Sequence, residues 1–241
     1  MSYESNLEKP SVNIGAAVSS VTSDPEWIKK CLISGVCILI PLVGPFQFAG
    51  YHKRVYAAAR DGEAEMPSPS LGEDIGAGFR ALLVAVNLLL PMSLFLGVGF
   101  GCMGGVGLGV AAIGSAVDSQ DPSPIRGLLM MLGMIVGYGI IILGSLLVGL
   151  VGMDISRRIY NGESFPIFSI GRTLTAIKMN FGAYFMTWLG MFLLNMLAPL
   201  GAILCYVGLF ATAPIASVMR AKLLAQWDAV VTHSFREAGI E

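Results

Sequence analysis

The stretch "GVGFGCMGGVGLG", residues 97–109, holds seven glycines in thirteen positions and no charged residue. It lies within an uncharged window that runs from Ala81 to Val117. Only 13% of the 241 residues are charged and the mean hydropathy is +0.73, whereas soluble domains carry about a quarter charged residues. The composition therefore predicts an all-α integral membrane protein.

Four uncharged windows are long enough to cross hydrocarbon: Cys31–Tyr51, Ala81–Val117, Gly127–Met153 and Phe181–Met219. The second and fourth have 37 and 39 residues, and as single helices they would extend about 55 Å, beyond a hydrocarbon core of about 30 Å. Each is expected to form a hairpin, with breaks near Gly97–Gly101 and near Pro199 and Gly201. The prediction is about six transmembrane helices, near residues 28–50, 80–97, 100–117, 127–152, 181–198 and 201–220.

These windows divide the chain into a polar N-terminal segment (1–26), a transmembrane helical domain (27–222, with halves 27–117 and 127–222) and an amphipathic cytoplasmic tail (223–241). No signal peptide is visible in the first segment, where Asp24 is expected to cap a helix that begins at Pro25. In the first span, "IPLVGP" (40–45) either kinks the helix or turns it back as a re-entrant hairpin. Trp27 and Trp227 are predicted interfacial anchors.

Two polar loops, "KRVYAAARDGEAEMPSPSLG" (53–72) and "RRIYNGESFPIFSIG" (157–171), share the order basic, basic, β-branched, Tyr, then Asp or Asn, Gly-Glu, Pro and Ser. Downstream, "NLLLP" (87–91) and "NMLAP" (195–199) repeat a second spacing. We interpret the similarity as an internal duplication, with a chance match of short motifs as the alternative. The motif-loop residues are Gly50, Tyr51, Arg54, Gly62, Glu63, Pro67, Arg157, Arg158, Gly162, Glu163 and Pro166.

Three spans in each half would give a 3+3 inverted-topology repeat, which places the two motif loops on opposite membrane faces. With the N-terminus inside, ten basic residues fall on the cytoplasmic side and five outside. The positive-inside rule therefore predicts that both termini are cytoplasmic in a cytoplasmic (inner) membrane. In the alternative, both motif loops are cytoplasmic. The chain would then have to cross the membrane an odd number of times between the motif loops and Asp118.

Glycines at intervals of four form rows on two predicted helices. Gly97, Gly101, Gly105 and Gly109 make one row, and Gly133 and Gly137 begin another. Such glycine-zipper rows let helix backbones approach closely in lipid, within a chain or between copies. A pore or hinge lined by glycine is the alternative.

Polar side chains offer few candidate sites. Asn87 and Asn195 each precede a proline by four residues, so they either bond the carbonyl group that the proline frees or contact a neutral solute between the halves. Asp61-Gly62 and Asn161-Gly162 are typical of turns or left-handed helix caps. Glu63 and Glu163 are expected to pair with Arg54 and Arg158.

Several functional classes lack support in the sequence. The uncharged windows of the predicted spans contain no Asp, Glu, Lys, Arg or His, and the sequence has only two histidines, which argues against proton pumps, haem and metal centres. The four cysteines, Cys31, Cys37, Cys102 and Cys205, lie in apolar windows without metal-ligand spacing and are interpreted as small buried hydrophobes. No catalytic, cofactor-binding or nucleic-acid-binding pattern is recognisable.

The run "ILIPLVGPFQFAGYHKRVYAAARDGEAEMPSPSLGEDIGAGFRALLV", residues 38–84, resembles the domain of unknown function 4013 family of polytopic membrane proteins. The matching residues are Gly50, Tyr51, Arg54, Gly62, Glu63, Pro67, Gly72, Asp74 and Gly78. The aromatic residue that the family carries after the proline is replaced here by the serine-containing stretch Ser68–Ser70. The resemblance implies a bacterial or archaeal membrane location and supplies no activity.

The expected function is non-catalytic: a packing, assembly or accessory subunit of a homo-oligomer or a larger membrane complex. Its expected partners are the lipid bilayer and other membrane proteins, with no nucleic acid and no cofactor. The alternative is a passive transporter or channel for a small solute or lipid, built on the inverted repeat.

Overall fold

The computed structural model describes residues 10–41, 43–116, 124–203 and 207–240. These residues are largely helical and contain no strand, as predicted. The chain divides into a first unit, Met1–Ala85 with Met153–Glu241, and a second unit, Val86–Gly152. The helices are α1 (Ile14–Thr22), α2 (Trp27–Cys37), α3 (Val43–Arg60), α4 (Leu71–Ala116), α5 (Pro124–Tyr160), α6 (Ile170–Met179, after a 3-10 turn at Pro166–Ser169), α7 (Phe181–Ile203) and α8 (Val207–Glu237).

The predicted break at Gly97–Gly101 is wrong, because α4 stays helical over all 46 residues. In the fourth window α7 continues through Pro199 and Gly201 to Ile203 and α8 begins at Val207, so two helices are present as predicted and only the position of the break differs. Glycine weakens a helix by about 1 kcal/mol relative to alanine, whereas a break among apolar side chains would leave backbone groups without hydrogen bonds at greater cost. The spans predicted at 80–97 and 100–117 therefore fall in one helix, α4, as far as Ala116, and the count of six spans is not confirmed.

Among the described residues, two helices are long and apolar enough to cross a membrane. The candidate spans are Leu71–Ala112 in α4 and Gly127–Tyr160 in α5. Only 11% of the most apolar window of each is buried, whereas a helix that is hydrophobic all round and belongs to a soluble core would be mostly buried. Their apolar surface is therefore left uncovered by the chain.

In the second unit, α4 and α5 pack against each other as antiparallel helices through glycine. A side chain at Gly99 would press against the Gly137 carbonyl oxygen and overlap Ile141. A side chain at Gly133 would overlap Val106. The α5 row that begins with Gly133 and Gly137 thus contacts a helix of the same chain.

The first apolar window is not one span. Helix α2 ends at Cys37 and α3 begins at Val43, and the chain reverses so tightly that a side chain at Gly44 would overlap the Cys37 carbonyl oxygen. Asp24, before α2, accepts a 2.8 Å hydrogen bond from the backbone N–H of Met66, after α3. The start of α2 and the end of α3 therefore lie at the same end of the first unit. This arrangement agrees with the re-entrant alternative.

Helices α7 and α8 form an antiparallel pair in the core of the first unit. Tyr184 of α7 meets Trp227 of α8 edge to face, with 5.4 Å between ring centroids. Near the same end of the pair, Ser234 Oγ donates a 2.6 Å hydrogen bond to Asn180 Oδ1. The pair packs against α1, α2 and α3.

The segment predicted as an amphipathic tail lies mostly within α8. Leu223, Leu224, Val230 and Val231 are buried core residues of this helix. Trp227 is fully buried and its Nε1 donates to Asp154 Oδ1 at 3.2 Å, so its predicted role as an interfacial anchor is wrong. The apolar residues of this segment cover the other helices of the first unit instead of a membrane surface.

Helices α3 and α4 cross at two glycines. A side chain at Gly50 would overlap the carbonyl oxygen of Asp74, and one at Gly78 would overlap that of Phe46. The two backbones touch at both points, an approach that only a residue without Cβ allows. The glycines of the first motif loop and of the start of α4 thus have a packing role.

We expect the Gly78→Ala substitution to lower the thermal stability of the purified protein, because the new Cβ cannot fit against Phe46 without moving a helix. Overpacking of this kind costs about 1–3 kcal/mol. Gly76→Ala is the matched control on the same helix, since nothing lies within 4 Å of its Cβ position. Equal melting temperatures for the two variants in one detergent would contradict the close crossing.

Candidate functional site

The two motif loops begin with the same helix cap. Gly62 and Gly162 have φ angles of +82° and +109°. The Glu63 N–H donates to the Ala58 carbonyl at 2.9 Å, and the Glu163 N–H donates to the Arg158 carbonyl at 3.0 Å. This six-residue closure is a Schellman cap, in which glycine adopts the left-handed conformation without strain. The predicted left-handed caps are confirmed.

Asp74 ties the first motif loop together. Its fully buried carboxylate accepts hydrogen bonds from Arg54 Nη1 at 2.7 Å, Gln47 Nε2 at 3.0 Å and the Ser70 N–H at 2.8 Å. Arg54 also pairs with the exposed Glu73, Nη2 to Oε2 2.7 Å. The predicted Arg54–Glu63 pair is therefore wrong, because two acids at the start of α4 lie closer to this guanidinium.

Arg158 ties the second motif loop together and forms the predicted pair. Its Nε lies 3.0 Å from Glu163 Oε2, and Nη2 also contacts that oxygen. Nη1 donates to the Pro166 carbonyl, the Ser169 carbonyl and Thr173 Oγ1 at 3.0–3.3 Å. One buried guanidinium therefore connects the end of α5 to the start of α6.

Asp24 attaches α2 to the first motif loop. Helix α2 begins at Trp27 instead of Pro25, and the carboxylate accepts from Lys30 Nζ, the Met66 N–H and the Glu26 N–H, each at 2.8 Å. Burial alone would raise the pKa of the Asp24 carboxyl. The hydrogen bonds and the Lys30 charge outweigh burial and hold this pKa below its ordinary value.

A chain of hydrogen bonds joins the two motif loops. Tyr56 Oη donates to Asn161 Oδ1 at 3.0 Å, and Asn161 Nδ2 donates to Asp228 Oδ1 at 2.7 Å. Arg157 lies between two carboxylates, with Nε 2.7 Å from Asp154 Oδ1 and Nη1 2.8 Å from Asp228 Oδ1. This network links α3, α5 and α8 and gives each buried charge a counter-charge.

The motif loops lie side by side. Arg60 Nη1 donates to Asn161 Oδ1 at 3.0 Å, and the Tyr56 and Tyr160 ring centroids are 5.4 Å apart. Between the loops the chain runs along the unbroken α4 and then along α5. The predicted inverted-topology repeat, which would place the two loops on opposite membrane faces, is not confirmed.

A cavity of about 600 Å³ opens beside the second motif loop, between the ends of α5 and α8 and the start of α6. The predicted motif residues Arg157, Arg158 and Glu163 come together in its wall. Sequence reasoning did not assign Arg172 and Arg236 to this place, but both line the cavity. Val231, Phe235 and Ile240 supply an apolar side.

The glycine row of α4 faces open space. Around Gly97, Gly101, Gly105 and Gly109, an added Cβ would meet no heavy atom within 4 Å among the described residues. This row therefore differs from Gly99, which contacts α5 from the same helix. Packing within the described chain does not account for its spacing.

Asn195 has a partner that neither interpretation of the sequence anticipated. Its Oδ1 accepts a 2.7 Å hydrogen bond from Arg220 Nη1. Asn87 is fully buried in α4, and its predicted roles stay predictions. Arg220, which was counted at the end of the last predicted span, thus lies against the apolar helix α7.

Cysteine and metal chemistry have a limited basis in the described chain. Cys31 is buried and has a free thiol, whereas Cys37 and Cys102 are free and partly exposed; Cys205 lies outside the described residues. The described residues contain no group of three or more His, Cys, Asp or Glu side chains arranged to hold a metal ion.

Sequence reasoning missed the two acids on which Arg157 depends. Asp154 and Asp228 are 0% and 4% exposed. Asp154 has a local signal, since it lies three residues before Arg157 on a helix. Asp228 has none, because its partners Arg157 and Asn161 are 71 and 67 residues away in the chain.

The Asp228→Asn substitution is expected to lower the free energy of unfolding by about 2 kcal/mol or more, because Arg157 and Asn161 lose a buried charged acceptor. Asp61→Asn makes the same chemical change in an exposed ion pair with Arg60, where the expected loss is below about 1 kcal/mol. Both are measured by reversible unfolding in mixed micelles. Similar losses of unfolding free energy in the two variants would show that the buried network stabilises the protein no more than an exposed ion pair does.

The stability that Asp24 contributes should depend on pH. A carboxyl whose pKa is depressed by folding stabilises the protein fully above its unfolded pKa of about 3.9 and loses that effect as pH falls through the folded value. The unfolding free energies of the wild type and Asp24→Asn should therefore converge as the pH falls from about 5 to below about 3.9. Glu26→Gln, which changes an exposed carboxylate, serves as control. A difference in unfolding free energy between the wild type and Asp24→Asn that does not change with pH would contradict the proposed role of the Asp24 carboxylate.

A family model described as "Protein of unknown function (DUF4013)" matches residues 33–207. No curated protein and no solved structure matches the chain. The matched residues begin in α2 and reach the start of α8, so they include both motif loops and the two long apolar helices between them. With well over half of its length matched, the chain belongs to the DUF4013 family.

Proposed function

We propose that the protein is a multi-pass protein of a cytoplasmic (inner) membrane that acts without catalysis as an assembly subunit. It associates with a second copy of itself through the glycine face of α4, which is formed by Gly97, Gly101, Gly105 and Gly109. The observation that carries the proposal is the open space in front of all four glycines.

The surroundings of this face suit a helix partner. Val98, Phe100 and Leu108 beside it are 47%, 61% and 75% exposed, so a flat glycine strip lies between projecting apolar side chains. On another side of the same helix, Gly99 and Gly137 already bring two backbones into contact. The chain therefore uses glycine to bring helix backbones close together. The glycine face of α4 offers the same kind of surface, and no described residue packs against it.

A second copy is the occupant that fits this face best. In lipid, helices gain little from hiding apolar surface, and association depends on close packing at small residues. A glycine row is complementary to an identical row across a two-fold axis, which is the commonest symmetry of homo-oligomers. The proposed partner therefore needs no feature beyond those that the chain itself supplies.

The proposed topology has α4 and α5 crossing the membrane and α2–α3 entering and leaving on one side. The turn between α2 and α3 supports the second part, because Val36, Leu39 and Ile40 are 60%, 57% and 42% exposed. Cations gather at the end with the motif loops, among them Lys53, Arg54, Arg60, Arg157 and Arg158. The positive-inside rule assigns this end to the cytoplasm.

Both termini belong to the cytoplasmic side in this topology. The Asn13 N–H, just before α1, donates to Gln226 Oε1 at 2.8 Å. Gln226 lies two residues before Asp228, which binds the second motif loop. The C-terminal part of α8 and the start of α1 are therefore next to the motif loops.

Replacing Gly101 and Gly105 together by leucine should convert an oligomer into monomers, because two bulky side chains would hold the facing helices apart. The matched control is Gly139→Leu with Gly149→Leu, two open positions on α5 with the same change in hydropathy. Particle mass in a mild detergent is measured by light scattering or native mass spectrometry.

A monomeric wild-type protein would contradict the proposal. An unchanged oligomer in the Gly101→Leu, Gly105→Leu variant would contradict it as well. Equal dispersal by the control pair would show that added bulk anywhere on the hairpin disrupts assembly, and the specific role of the glycine face would be lost.

A further inference from the structure

We infer that the cavity beside the second motif loop binds a phosphate ester, and that the phosphate belongs to the headgroup of an anionic phospholipid. The cavity lies wholly within the first unit and has a volume of about 600 Å³. The inference rests on the membrane location in the proposed function, and it is independent of the association through α4.

The cavity wall carries more positive charge than the described residues neutralise. Arg157 is paired with Asp154 and Asp228, and Arg158 is paired with Glu163. Arg172 and Arg236 also line the cavity. Neither has a carboxylate within salt-bridge distance in the described part of the chain, so two guanidinium groups face the space without a counter-charge.

The geometry prepares one of these groups for an anion. The guanidinium of Arg172 lies over the Phe235 ring, 5.9 Å from its centroid. A cation–π contact of this kind limits the motion of the side chain while its N–H donors stay available. Arginine presents its donors as a planar fork that matches two oxygens of one phosphate group.

The rest of the lining fits a phospholipid better than free phosphate. Val231, Phe235 and Ile240 form an apolar side that inorganic phosphate would not use. Asn161 and Thr232 add polar groups suited to the hydroxyls or ester oxygens of a headgroup. The residues that line the cavity therefore combine charged, polar and apolar contacts.

The position along α5 favours the same source of phosphate. Arg157 and Arg158 lie in the last turn of α5, about one turn beyond Met153, where the uncharged stretch of this helix ends. The end of a membrane-crossing helix lies at the level of lipid headgroups. A phosphate bound here would therefore be at the depth where anionic lipids offer one, and basic sites at this level attract them.

The test compares three probes on the full chain in an uncharged detergent: a short-chain phosphatidylglycerol, the matching phosphatidylcholine and inorganic phosphate. Binding is followed by native mass spectrometry and by thermal stabilisation. We expect phosphatidylglycerol to bind more tightly than the other two probes. The double variant Arg172→Ala, Arg236→Ala should weaken that binding about ten-fold or more, because two charge-assisted contacts are lost.

Lys29→Ala with Lys178→Ala is the matched control, since it also removes two exposed cations and neither residue lines the cavity. Its affinity for phosphatidylglycerol should stay within about two-fold of the wild type. Arg172→Lys keeps the charge but loses the planar fork, so it should bind with intermediate affinity. This conservative variant keeps the test decisive if the double alanine variant fails to fold.

Equal weakening in the arginine pair and the lysine pair would overturn the assignment, because it would reduce the effect to overall charge. Inorganic phosphate that binds as tightly as phosphatidylglycerol would overturn the lipid source. Tight binding of phosphatidylcholine would overturn the requirement for an anion. Particle mass is measured in the same samples, so a failure of association through α4 is seen separately.

Discussion

Arg157, held between Asp154 and Asp228, is the interaction on which the arrangement of the first unit depends. A buried guanidinium and its carboxylates are stable only together, because each alone loses hydration without compensation. Asp228 reaches Arg157 only when α8 lies along the end of α5. Asn161 reaches Asp228 only when the chain turns back at Gly162. Closing this network therefore places α3, α5 and α8 at one end and brings the motif loops together.

Features that depend on nearby residues could be predicted from the sequence. The left-handed caps at Gly62 and Gly162 follow from Asp-Gly and Asn-Gly directly after a helix. The Arg158–Glu163 pair joins residues five apart, across the cap itself. The all-helical class and the apolar character of the segments that form α4 and α5 follow from hydropathy alone, although the unbroken length of α4 does not. In each case the deciding contact lies within about two turns of helix or is a property of composition.

Features that depend on distant residues could not be predicted. Gly137 and Gly105 share the same spacing rule, yet a Cβ at Gly137 would overlap a neighbouring helix and one at Gly105 would meet nothing within 4 Å among the described residues. Spacing also does not decide whether a glycine-rich helix breaks, which is why the sequence predicts two helices where α4 is one. Asp228 carries no local sign of its role, because the fold alone brings it to Arg157.

The side-by-side placement of the motif loops is tested most directly by labelling from the two sides of the membrane. Single cysteines are introduced by Glu65→Cys or Phe168→Cys, at an exposed residue of each loop, in a chain whose native cysteines are replaced by alanine. An impermeant maleimide is applied to intact cells and to inverted membrane vesicles. We predict that both cysteines react only in the inverted vesicles. If one cysteine reacted in intact cells and the other in inverted vesicles, the result would contradict the side-by-side placement of the motif loops and support the inverted repeat.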